Sequence, residues 1–95
     1  RERIERAGIL TLAAEAWKQD GNLLKAAQLL EREGEIEEAA DLFARSGHPA
    51  EAGALLDKAR DFAGAATHYR QAGMMEDAAR LLLKAGDPIG AARIH

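Results

Sequence analysis

Small and bulky apolar residues recur along this chain at a fixed interval of thirteen residues. One series of alanines keeps that interval without a break: Ala13, Ala26, Ala39, Ala52, Ala65, Ala78 and Ala91. The position after each of them is alanine or glycine. A bulky residue such as Trp17 follows four positions after the alanine, and in most copies a glycine such as Gly21 follows eight positions after it. A period this regular predicts a repeat architecture.

Each thirteen-residue copy predicts one short helix. Its apolar positions follow the 3.6-residue period of a single helix face, and the glycine lies where a left-handed C′ residue ends a helix. His48-Pro49 and Asp87-Pro88 predict an N-cap followed by a proline at N1, and His48 with Glu51 has the spacing of a loose capping box. We therefore expect helices of about 11 residues joined by very short turns.

A second period doubles the first, because aromatic and aliphatic residues alternate at the bulky position. The order along the chain is Trp17, Leu30, Phe43, Leu56, Tyr69 and Leu82. The predicted unit is a helical hairpin of 26 residues, whose short turns force each helix to pack antiparallel on the next. Stacked hairpins form an α-solenoid, so the predicted fold is all-α, an α-solenoid of about seven short antiparallel helices.

Residues 1–95 are predicted to form a single helical-repeat domain. Its repeats span approximately 9–34, 35–60 and 61–86, with partial repeats at 1–8 and 87–95. The pattern is cut at both ends and shows no polar capping helix, so we expect a segment of a longer chain. Uncapped ends would expose an apolar stripe, which makes self-association through them a further expectation.

The repeat resembles a shortened tetratricopeptide (TPR) repeat. The family's signature of large apolar, small, aromatic, glycine, alanine and large apolar positions is matched by Leu10, Ala13-Ala14, Trp17, Gly21, Ala26 and Leu30. The same series begins again at Ile36 and at Phe62. The unit has 26 residues rather than roughly 34, and it is also similar to the α-solenoids of clathrin- and coatomer-type transport proteins. This resemblance implies a protein-binding role.

The resemblance also implies which residues contact a partner, because in that family the aromatic-bearing helices line the concave face. The polar residues at the corresponding positions are Glu15, Lys18, Gln19, Glu37, Asp41, Arg45, Thr67, Arg70 and Gln71. Thr11, Ala44 and Ala63 occupy equivalent positions. A solvent-exposed surface under no constraint has the same varied, polar character, and both interpretations stay open at this point.

Composition acts mainly by excluding classes of chemistry. The chain has no cysteine, and its three histidines have no metal-ligand spacing. It contains no nucleophile elbow and no phosphate-binding loop. We therefore expect no enzyme activity, no metal and no cofactor. His68 takes the place that Leu42 holds one repeat earlier, and we interpret it as a half-buried core residue.

Charge and hydropathy limit the classes of partner that the sequence predicts. The net charge is −3, no apolar run is long enough to cross a membrane, and no signal-peptide pattern opens the chain. Basic residues recur at Arg6, Arg32, Lys58 and Lys84, but neighbouring carboxylates oppose an anionic ligand. We expect a cytoplasmic protein that neither binds nucleic acid nor inserts into a membrane.

Two further features of the sequence are an acidic stretch and a break in the series of glycines. The densest acidic stretch is Glu31, Glu33, Glu35, Glu37, Glu38 and Asp41. It is compatible with docking a basic segment, but we favour a helix start, where carboxylates are stabilised by the macrodipole. Arg60 replaces the repeat glycine, so this turn has either a non-glycine residue at positive φ or another geometry.

The predicted function is that of a non-catalytic scaffold for protein–protein interaction, which binds a peptide or helix of a partner on its concave face. The alternative is a structural spacer or self-association module within a larger regulatory or trafficking protein.

Overall fold

The computed structural model describes residues 12–94, and all regular secondary structure in that part of the chain is α-helical. The seven helices are α1 (residues 12–19), α2 (Leu23–Arg32), α3 (Ile36–Arg45), α4 (Pro49–Lys58), α5 (Phe62–Gln71), α6 (Met75–Lys84) and α7 (Pro88–Ile94). The all-α prediction is confirmed. The predictions for Arg6, Leu10, Thr11 and the partial repeat at 1–8 lie outside the described residues.

The same three-residue turn separates every pair of consecutive helices. Its second residue has a left-handed backbone, with φ between 79° and 89° at Gly21, Gly34, Gly47, Gly73 and Gly86. In the turn after α3, the N–H of Gly47 donates to the carbonyl of Ala44 at 3.1 Å, and that of His48 to the carbonyl of Phe43 at 2.8 Å. These are the two hydrogen bonds of a Schellman motif, and they confirm the predicted role of the glycine.

The third residue of each turn is the N-cap of the next helix. The side chains of Asn22, Asp61 and Asp87 each accept the N–H three residues ahead, at 2.9–3.1 Å. His48 is an N-cap before Pro49, as predicted, but its side chain makes no capping bond. The predicted loose capping box with Glu51 is therefore wrong, since the His48 ring lies with Nδ1 3.1 Å from the hydroxyl of Ser46.

Arg60 keeps the turn geometry without glycine. Its φ is 67°, and the N–H of Asp61 still donates to the carbonyl of Leu56 at 2.9 Å. The left-handed backbone costs a non-glycine residue about 1–2 kcal/mol. The Arg60 guanidinium lies 5.7 Å from the centre of the Phe62 ring, a cation–π contact that offsets about 0.5–1 kcal/mol of that cost.

The alanine pairs form the contacts between helices. Substantial packing joins α2 to α3 and each later helix to the next one along the chain. The first alanine of the pair has 0% exposure in five consecutive copies, from Ala26 to Ala78, and the second position is buried in the same copies. Side chains this small let helices approach closely.

Gly53 takes the second position of the pair in α4 and makes the approach closer still. A Cβ atom at Gly53 would lie 3.0 Å from Cδ2 of Tyr69 and 3.2 Å from the carbonyl oxygen of Ala65. The Tyr69 ring therefore lies directly against the backbone of α4. This contact anchors α5 on α4.

The larger apolar residues complete the core. Leu42 and Leu81 are fully buried, and Phe43 and Leu56 nearly so. His68 is half-buried, as predicted, and its Nδ1 lies 3.0 Å from Oε1 of Gln71. At α5 a polar ring with its own hydrogen-bond partner thus takes the place that Leu42, Leu55 and Leu81 have in the neighbouring helices.

Replacing Gly47 by alanine tests the turn. A Cβ at this position would meet nothing within 4 Å, so the change acts on the backbone alone. We expect a net loss of about 1 kcal/mol in the free energy of unfolding, measured by urea titration. Gly47→Asn is the matched control and should lose less, because asparagine tolerates the left-handed region. An alanine variant as stable as the parent would contradict the requirement.

Replacing Leu56 by alanine tests the core. Leu56 is 4% exposed, and its truncation should cost about 2–5 kcal/mol, because it removes buried apolar area and leaves a cavity. Leu83→Ala is the control: Leu83 is 59% exposed, and its truncation should change stability by less than about 0.5 kcal/mol. Equal losses in the two variants, measured by chemical denaturation, would refute the assignment of Leu56 to the core.

Candidate functional site

The nine predicted partner-contacting residues lie on α1, α3 and α5. All are exposed except Lys18, which is half-buried. Lys18 Nζ lies 3.0 Å from Oε1 of Glu15 on its own helix and 3.2 Å from Oε1 of Glu38 on α3. The second ion pair links α1 to α3, two of the aromatic-bearing helices. The hydrogen bonds that the Lys18 ammonium donates, first to Glu15 and then to Glu38, raise the pKa of Lys18.

The first of the predicted residues on α3 lie at the N-terminus of that helix. Glu35 is the N-cap of α3, and Glu37 and Glu38 occupy its first turn, which confirms the helix-start interpretation of this part of the acidic stretch. Further along, Arg45 Nη1 lies 3.4 Å from Oδ2 of Asp41. The ion pairs of α1 and α3 therefore form one surface of alternating charge.

Among the described residues, no side-chain hydrogen bond or ion pair joins the predicted residues on α5 to that surface. The hydroxyl of Thr67 donates to the carbonyl of Ala63 at 3.1 Å, and Gln71 contacts His68. One repeat after Lys18 and Glu38 the chain has Ala44 and Gly64, so the ion pair between α1 and α3 has no counterpart between α3 and α5. The structure thus brings together two of the three predicted groups.

Two cavities lie away from these residues, bordered mainly by the even-numbered helices. One, of about 620 Å³, is bordered among the described residues by Lys25, Gln28, Leu29, Glu31 and Arg32 of α2. The other, of about 210 Å³, lies between α2 and α4 and is called the α2–α4 groove. Its lining residues are Glu31, Phe43, Glu51, Ala54, Leu55 and Lys58. None of the nine predicted residues lines either cavity.

The 26-residue period places an equivalent set of residues one repeat after the α2–α4 groove. These are Asp57, Tyr69, Asp77, Arg80, Leu81 and Lys84. Here the chain supplies an internal ion pair, with Arg80 Nη2 3.3 Å from Oδ1 of Asp77. One repeat before the groove, Lys25 Nζ lies 5.6 Å from the centre of the Trp17 ring. An aromatic ring thus recurs at each of the three sites, while the charges around it change.

Tyr69 reports on the site in the third repeat. Burial raises the pKa of Tyr69, the carboxylates of Asp57 and Asp77 raise it further, and Arg80 lowers it. As pH rises, the unfolded chain therefore releases this proton before the folded chain does. The stability that Tyr69 contributes is fully present below its ordinary pKa of 10.0 and is lost as pH rises through the folded value.

Comparison with known proteins identifies no relative: no protein-family model, no curated protein and no solved structure matches this chain. Within residues 12–94, no helix has the length and apolar character needed to cross a membrane. In the same residues, no three histidine, aspartate or glutamate side chains come together as candidate metal ligands.

Titrating Tyr69 tests this electrostatic arrangement. It is the only tyrosine in the chain, so the change in ultraviolet absorbance of the phenolate reports its pKa directly. We expect Asp57→Asn to lower that pKa and Arg80→Ala to raise it, because the first removes a repelling carboxylate and the second an attracting cation. Asp41→Asn, on α3, is the control and should leave the titration unchanged. A titration that moves in the opposite direction, or not at all, in both variants would refute the arrangement.

Proposed function

We propose that this chain is a non-catalytic scaffold for protein–protein interaction, built as an α-solenoid of TPR-like helical hairpins. Two features of the structure support the stacked arrangement. Substantial contacts join consecutive helices, and the radius of gyration is 14.9 Å, against about 12 Å for a compact domain of this length. A stack of this kind extends as repeats are added and presents a continuous surface to a partner.

The observation that carries the proposal is the contrast between invariant buried positions and variable exposed ones. At one exposed position the three repeats have Glu15, Asp41 and Thr67, whereas the alanines that hold the helices have no exposure. Different polar groups are thus held in similar local positions on a rigid frame. This is what recognition of an extended peptide or a helix requires, because a preformed surface loses little entropy on binding.

The charges of α1 and α3 suit a partner segment that itself carries both signs. Lys18 lies between two carboxylates, and Arg45 lies beside Asp41. Exposed pairs of this kind contribute little to stability. They instead steer association and set the register of a complementary segment.

The second candidate function, self-association, is favoured by a separate observation. Large apolar side chains are exposed at Leu12 on α1, at Met75, Leu83 and Ile89 on α6 and α7, and at Met74, the N-cap of α6. Apolar exposure at such positions suits contacts between copies. Measuring molecular mass over a wide range of protein concentration separates this function from the first, since only self-association makes the mass depend on concentration.

Reversing four charges together tests the scaffold proposal. The variant Lys18→Glu, Asp41→Lys, Arg45→Glu and Arg70→Glu should lose the partners that the parent chain captures from cells, because it inverts the charge pattern of α1, α3 and α5. Circular dichroism checks that the helices persist.

The matched control reverses four charges outside that surface. The changes Lys25→Glu, Arg32→Glu, Lys84→Glu and Glu76→Lys alter the net charge by the same amount but lie on α2 and α6. We expect this variant to capture the same partners as the parent. Capture that survives in the first variant, or that is lost equally in both, would overturn the assignment of binding to α1, α3 and α5.

A further inference from the structure

The α2–α4 groove lacks two basic residues that the equivalent sites have. One is present in the repeat before it and the other in the repeat after it. Lys25, which lies over Trp17, is replaced by Glu51 one repeat later. Arg80, which pairs with Asp77 beside Tyr69, corresponds to Ala54 one repeat earlier. In the middle repeat both exchanges remove a cation, and one of them adds a carboxylate.

The groove that results is open, partly apolar and acidic on both sides. Its apolar lining comes from Phe43 and Leu55, which are 5% and 7% exposed, and from the small side chain of Ala54. Glu31 from α2 and Glu51 from α4 line the groove, and neither forms an ion pair with any other described residue.

The size of the groove limits what it can accept. Its volume of about 210 Å³ is below the roughly 300–1,000 Å³ of pockets for drug-sized ligands. A helix does not fit in this space, whereas one long side chain does. Lys58 also lines the groove. The charged lining of the groove is therefore two carboxylates and one ammonium, and its net charge of −1 attracts a cation.

We propose that the α2–α4 groove binds an arginine side chain from a partner protein. The aliphatic stem would cover Ala54 and the edges of Phe43 and Leu55, and the guanidinium would donate to Glu31 and Glu51. Arginine fits this better than lysine because its planar, weakly hydrated head has five donors in a fixed fork, which suits two carboxylates from different helices. This site lies outside the nine predicted residues and does not depend on the proposed function.

The neighbouring repeats support this choice of occupant. In the third repeat the chain's own arginine, Arg80, takes the position of Ala54, pairs with a carboxylate and lowers the pKa of the tyrosine at its base. In the middle repeat, the partner's arginine would provide the guanidinium beside the carboxylate that Arg80 provides in the third repeat.

A peptide probe tests the proposal. The probe is acetyl-Ala-Leu-Arg-Leu-Ala-amide, added to the full chain labelled with ¹⁵N and followed by NMR. Amide shifts should change at Glu51, Ala54 and Lys58. A second peptide with citrulline in place of arginine keeps the shape without the charge, and it should bind about fivefold or more weakly.

Two variants complete the test. Ala54→Arg gives the middle repeat its own arginine, as in the third repeat, and should abolish the shifts at this groove. Arg80→Ala opens the third repeat in the same way and should add a second set of shifts, at Asp57 and Asp77. Both residues are exposed, so neither change removes a core contact.

The outcomes that overturn the proposal are distinct from those that overturn the scaffold function. Equal binding of the arginine and citrulline peptides, unchanged shifts in Ala54→Arg, no gain in Arg80→Ala, or no shift at any amide would each overturn it. Shifts confined to α1, α3 and α5 would also overturn it, while supporting the surface assigned to the scaffold function. If the four-charge variant keeps its partners, the scaffold proposal is overturned, but the prediction of arginine binding in the α2–α4 groove is not affected.

Discussion

The left-handed residue in each three-residue turn is the constraint on which the rest of the structure depends. Its Schellman bonds tie the carbonyl of a bulky residue, such as Phe43, to the N–H of the next N-cap, His48. The carbonyl of that N-cap then accepts the N–H of the next buried alanine, Ala52. One continuous set of backbone hydrogen bonds thus connects the core position of one helix with that of the next. A residue added to the turn would rotate the alanine pair away from its neighbour.

The short helices follow from this constraint and make the repeats depend on one another. A ten-residue helix is marginal alone, because nucleation costs more than so few hydrogen bonds return. From α2 to α6, each helix is stabilised instead by burying its pair of small residues against the neighbouring helices. Gly53 shows the limit of this arrangement: where an aromatic ring lies against the helix backbone, even the methyl group of alanine is crowded.

The sequence was sufficient to predict what depends on local backbone geometry. The helices, the glycine turns, the buried alanines and the N-cap at His48 all follow from spacing, because the thirteen-residue period determines them. The pair of Lys18 with Glu38 was not predictable, since it depends on the angle between α1 and α3 and on two flexible side chains. The α2–α4 groove was also missed, because the TPR resemblance directs attention to the odd-numbered helices. Comparing residues 26 apart on the even-numbered helices, such as Ala54 and Arg80, is the signal that could have found it.

In these repeats, the residues that stabilise the fold are different from the residues that make one surface unlike the next. At the aromatic position the chain uses Trp17, Phe43 and Tyr69, and each ring has a different set of charges around it. The fold tolerates this variety because the hydrogen bonds of the turns and the alanine contacts involve none of those charges. Exposed charges contribute little to stability, so their identity is free to differ from one repeat to the next. Differences between equivalent positions, rather than the shared pattern, are therefore where specific binding can arise in a fold of this kind.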